Sequence, residues 1–91
     1  MFLKDPDARL DYRVDWSDAC GPGVEIAESQ WATTPLTDPE LRIGEQGLSD
    51  NVAWVELQGG TPGALYRIGN HVRFSDGRTD ERSLALRVEQ R

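Results

Sequence analysis

The sequence predicts an all-β domain, an antiparallel sandwich of about seven strands, and three observations carry that expectation. The first lies in the last third of the chain. Tyr66, Ile68, Val72 and Phe74 fall on one parity, with Asn70 their only polar member, while Arg67, Gly69, His71 and Arg73 fall on the other. After Asp76-Gly77 the alternation resumes, with Leu84, Leu86 and Val88 against Ser83, Ala85 and Arg87. Period-two patterning on both sides of an Asp-Gly turn marks a hairpin with one buried face, so residues 65–74 are expected to pair with 80–89. The second observation is the same alternation near the start, Leu10, Tyr12, Val14 and Trp16 against Asp11, Arg13 and Asp15. The third is that no long segment carries the apolar spacing of a helix.

Taken in order, residues 1–8 read as an extended N-terminal arm, with Pro6 after Asp5, ahead of a single domain over 9–91. Residues 10–16 form the first strand. Ser17 to Gly23 is a loop, because Gly21 and Gly23 around Pro22 break regular structure. Within 24–33, Val24 and Ile26 share a parity that Trp31 breaks, which calls for a bulge or an irregular stretch between them. Residues 34–39 are a connection. Leu41 and Ile43 make a short strand, Gly44 to Asn51 a turn region, 52–57 a strand, and Gly59 to Gly63 the turn before the terminal hairpin. In the 52–57 strand Ala53, Val55 and Leu57 face the core, which sends Val52 and Trp54 outward. A bulge, or cover by the arm, would account for an outward tryptophan; a partner surface is the functional reading, since aromatics are common interface anchors. Trp16 and Trp31 are assigned to the core. The Gly63-x-x-Tyr66 start of the penultimate strand resembles a tyrosine corner, whose hydroxyl bonds nearby backbone.

The 91 residues suit one domain near the roughly 100-residue size of immunoglobulin-like sandwiches, which makes the expected fold an immunoglobulin-like antiparallel β-sandwich. A single cysteine, Cys20, leaves no intramolecular disulfide and favours a reducing compartment for folding. No apolar run has signal-peptide or membrane-spanning length, so a soluble product without membrane partners is expected. Sixteen acids against ten bases, a net charge of −6, argue against nucleic acid, which needs a basic stripe. Catalysis and cofactors find no support. Cys20 and His71 are far apart in sequence and have no evident third group, and two nitrogen or sulfur ligands fall short of a structural zinc set. Asp5, Asp7, Asp15 and Asp18 flank the first strand but match no calcium-loop spacing, so they read as solvated acids and no metal site is assigned. The Thr79 to Arg82 run reads mainly as cross-strand pairing with Arg73 or its neighbours, with a recognition surface as the other reading.

Phe2 to Trp16, Ile26 to Trp31, Val52 to Gly60, Tyr66 to Ile68 and Gly77 to Leu84 together resemble small proteins encoded in the structural-gene regions of tailed bacteriophages and prophages. Such proteins look like immunoglobulin or fibronectin type III sandwiches and are often labelled phage or fibre-like proteins. The resemblance is thin around Cys20 to Gly23 and Leu41 to Gln46. It implies a non-enzymatic virion protein made in the host bacterial cytoplasm, acting in capsid decoration, head–tail joining or as a tail-associated adaptor. A chain of one small domain suits the capsid exterior or head–tail region better than a fibre shaft. Implied partners are other virion proteins, capsid, neck or tail subunits, and a homo-oligomer is admitted; Phe2, Leu3, Val52 and Trp54 are the candidate partner-binding residues. The alternative is a host-directed binding protein, such as a defence inhibitor or a carbohydrate-binding module.

Overall fold

The computed structural model describes residues 2–4, 9–34 and 41–89, and places them in two packed sheets. Seven strands run in chain order among the described residues: β1 (Phe2–Lys4), β2 (Leu10–Asp15), β3 (Ile26–Thr34), β4 (Leu41–Ser49), β5 (Val52–Gly59), β6 (Leu65–Phe74) and β7 (Thr79–Val88). One helical turn, α1 (Ser17–Cys20), follows β2 where the sequence reads as a loop. Asp15 explains it, since its carboxylate accepts the Ser17 N–H at 2.9 Å and so satisfies a donor of the first turn.

The sheets have the orders β1-β7-β6-β3 and β2-β5-β4. Lettering β2 to β7 as B to G gives B-E-D against C-F-G, the strand order of immunoglobulin-type sandwiches. Every pairing is antiparallel except β1 with β7, which is parallel and sets Phe2 opposite Leu86 and Lys4 opposite Val88. Lys4 is buried in spite of its charge. Its Nζ donates to the Gly59 carbonyl at 2.6 Å, and its carbonyl accepts the Glu89 N–H at 2.9 Å, so β1 ties the last strand to the end of β5.

The alternation read from the sequence is realised almost position for position. Tyr66, Ile68, Asn70, Val72 and Phe74 are buried, the residues between them mostly exposed, and β6 pairs with β7 from Leu65 opposite Arg87 to Arg73 opposite Thr79. Trp16, Trp31, Val55, Leu57, Tyr66, Ile68 and Leu86 are among the core residues. Trp16 meets Phe74 edge-on at 6.0 Å and Trp31 meets Tyr12 at 5.7 Å, the geometry that aromatic quadrupoles favour. Asn70 pins this core. Trp16 Nε1 donates to its Oδ1 at 2.8 Å, while its Nδ2 donates to Ser29 Oγ at 2.9 Å and to the Gln30 carbonyl at 3.1 Å. One side chain thus bonds β3 and, through Trp16, the end of β2, which makes a polar residue in the core affordable. Tyr66 is a tyrosine corner: its hydroxyl accepts the Thr61 N–H at 2.8 Å. The expected irregularity in the third element is a register shift between Ile26 and Glu28.

The expectation for 41–51 needs correction. β4 does not stop at Ile43; it continues through Gly44 and Gly47 to Ser49, with a register shift between Ile43 and Gln46. Neither glycine turns the chain, and Gly47 is there for close approach, whereas the atoms near Gly44 are the movable ends of Glu56 and Gln58. A Cβ on Gly44 would come within 2.8 Å of Glu56 Oε1, and one on Gly47 within about 2.4 Å of the Trp54 indole. The turn is Asp50-Asn51, both at positive φ (51° and 63°), as a two-residue type I′ hairpin requires.

Candidate docking surface

Sheet register settles where Trp54 lies. Ala53, Val55 and Leu57 are fully buried, so Val52, Trp54 and Glu56 stand on the outer face of β2-β5-β4, and each is half-buried. Trp54 sits between Arg13 on β2 and Gly47 on β4. Its indole lies down over Gly47, where any side chain would collide with it. The outward tryptophan therefore needs neither a bulge nor a covering arm to account for its partial burial, because a glycine on the neighbouring edge strand gives the ring a seat. Val52 stands beside it, opposite Asp15 and Ser49. Below, Glu56 accepts from Gln58 Nε2 and from Arg9 at 3.4 Å. The face combines one aromatic surface with carboxylate and guanidinium groups around it.

Phe2 and Leu3 are placed by backbone pairing, opposite Leu86 and Arg87 on β7. They belong to the outer edge of the four-stranded sheet, whereas Val52 and Trp54 belong to the other sheet. The four candidate residues are thus not one cluster. Asp5 and Asp7 lie outside the described residues.

The Thr79 to Arg82 run does something other than expected. Arg73 pairs with Glu28 on β3 at 2.6 Å and not with β7. Arg82, opposite Asn70 and so on the inward parity, lays its guanidinium 4.4 Å from the Trp16 ring and donates to the Asp15 carbonyl at 3.2 Å. Arg78 repeats the device. It stacks on Phe74 at 4.9 Å and donates to the Ala19 and Cys20 carbonyls, closing the end of the core around α1. The hint available for Arg82 was its parity, shared with Leu84, Leu86 and Val88 but also with the charged Asp80; Arg78 lies in the turn before β7, where no periodicity marks it.

Two carboxyls, Asp15 at the end of β2 and Asp76 in the β6–β7 turn, have depressed pKa values. For Asp15 the Ser17 hydroxyl and then the Ser17 backbone N–H stabilise the charged form, and for Asp76 the Arg78 backbone N–H and then its guanidinium do so. Cys20 is buried in the core and His71 is exposed on the outer face of β6, so the sandwich separates the two. Among the described residues no three His, Cys, Asp or Glu side chains gather as a metal-ligand set.

The described residues thus form a small β-sandwich whose arginines, buried asparagine and aromatic rings are used to lock two sheets together, leaving faces and edges as its chemistry. The chain belongs to the family described as podophage GP4 fiber-tail adaptor protein gp77, whose model matches residues 4–87. That span takes in both sheets. Membership makes the chain a phage structural protein and implies a virion component that binds other virion proteins in a structural rather than enzymatic role. No curated protein sequence matches the chain.

Proposed function

We propose that this protein is a non-enzymatic adaptor in the tail of a podophage particle, seated where fibre and tail meet and acting only through protein–protein contacts. The observation that carries the reading is the family match over residues 4–87, which covers nearly the whole chain and names a fibre–tail adaptor. Of the three virion locations the sequence admits, this is the tail-associated one. The physical design supports it: a rigid disulfide-free sandwich with a buried polar pin and stacked arginines holds its surfaces in fixed geometry, as a joint between larger subunits requires. The Val52 and Trp54 face of one sheet and the Phe2-Leu3 edge of the other are the proposed contact surfaces, and their separation suits a protein gripping two neighbours. Mass spectrometry of purified particles tests the reading. The chain is expected at a fixed stoichiometry with fibre and tail proteins; its absence would leave the host-directed binder as the better account.

A further inference from the structure

β3 and β4 are terminal strands of different sheets, and their free edges lie along one side of the sandwich. Two open concavities, of about 320 and 260 Å³, lie between them, the first against Glu25, Ile26 and Leu48 to Asn51, the second against Ala27 to Ser29 and Gln46 to Leu48. Leu48 lines both. It stands opposite Ala53 and so shares the core-facing parity, yet it is 39% exposed, whereas Leu41 on the same strand is 5% exposed. At the turn end the Ile26 N–H donates to Asn51 Oδ1 at 3.1 Å across the opening, and beyond that bond the sheets part at Leu48. Among the described residues the charged side chains around the gap are all acidic, Glu25, Glu28 and Asp50, of which Glu28 is taken by Arg73, and none is a lysine or arginine. A long strand edge is normally paired, covered or guarded by lysine, and the Gln46–Ser49 edge has none of these protections among the described residues.

We propose that this mouth receives an extended basic segment of the virion protein to which the adaptor binds, added as a further strand along Gln46–Ser49 of β4. The inference rests on the adaptor reading and specifies its partner's chemistry. Strand addition supplies backbone hydrogen bonds to the free edge. The residue set directly opposite Leu48 would point to the same face as Leu48, into the gap between the sheets, so an apolar side chain there completes the core. Lysine or arginine near it would meet Glu25 and Asp50, and a like-charged segment would be rejected.

The test uses particles assembled with the full chain carrying a photo-crosslinking benzoylphenylalanine at position 48, alongside Leu48→Lys and the pair Glu25→Gln with Asp50→Asn, the latter keeping a residue that tolerates the turn. A crosslink to one segment of another virion protein with alternating apolar and basic residues is expected. Leu48→Lys should melt like the wild type, because the site is exposed, and lose at least about tenfold in particle occupancy, the scale of an interface anchor. The neutralised pair should lose less, and its occupancy should depend less on salt. A folded Leu48→Lys variant at wild-type occupancy, or crosslinks to an acidic segment or to a second copy of the chain, would overturn the proposal. Absence of the wild-type chain from particles is a different result, and overturns the adaptor reading on which it stands.

Discussion

At Trp54 a residue that looks like an interface anchor also has a local reason to be where it is. Its ring occupies the space that Gly47 leaves, so part of its surface is already buried in the free protein. Trp31, by contrast, is a core residue at 8% exposure. Chemical denaturation should therefore find that Trp31→Ala costs about 3–5 kcal/mol and Trp54→Ala about 1–2. Gly47→Ala should lift the indole from its seat and shift its fluorescence to the red, and an unchanged spectrum would mean that the ring does not rest there. Asn70 works in the opposite direction, as a polar residue that the core cannot do without. Asn70→Ala leaves the Trp16 Nε1–H and the Gln30 carbonyl without this partner in the interior, so about 2–4 kcal/mol of stability should be lost in the same measurement.

Among the elements, the two ends of the chain depend on each other. β1 covers the outer edge of β7, and Lys4 bonds both the Gly59 carbonyl and the Glu89 N–H. Removing residues 2–4 should lower stability by about 1–3 kcal/mol and speed hydrogen exchange along β7, so a truncation would test folding as well as docking. The end of β2 and the β6–β7 turn carry an acid dependence. Asp15 and Asp76 have folded-state pKa values below the ordinary 3.8, so their contribution is fully present above that value and is lost as pH falls through the lower folded-state values. An NMR titration should place both carboxyl midpoints below 3.8. Strands β2, β5, β6 and β7 were legible because each has one buried face, which forces a period of two. β4 was not, since Gly44, Gly47 and a register shift erase the alternation, and its glycines look like turn residues although both lie within the strand and Gly47 makes room for Trp54. The turn itself, Asp50-Asn51, lacks the glycine that usually betrays a type I′ hairpin. α1 was missed because it is one turn long, held by Asp15 from outside its own sequence.

On the scale of the molecule, the parts describe a joint. Two sheets are clamped by Asn70 and Trp16 in the middle and by Arg78 and Arg82 at the margins, and the proposed partner surfaces lie on different sheets and edges. The net charge of the chain, −6, is of the sign that the proposed basic partner segment requires. Its place in the fiber-tail adaptor family gives that geometry a setting. Trp31→Ala and Asn70→Ala change buried residues away from the proposed contact faces, so they should reduce the amount of folded protein without changing which neighbours it joins. The most direct measurement is quantitative mass spectrometry of purified phage particles, with the tail and fibre subassembly isolated from the same preparation. The account predicts the chain in intact particles and retained with the tail–fibre subassembly at a constant ratio to fibre protein. Particles that contain every other structural protein but lack this one would contradict it.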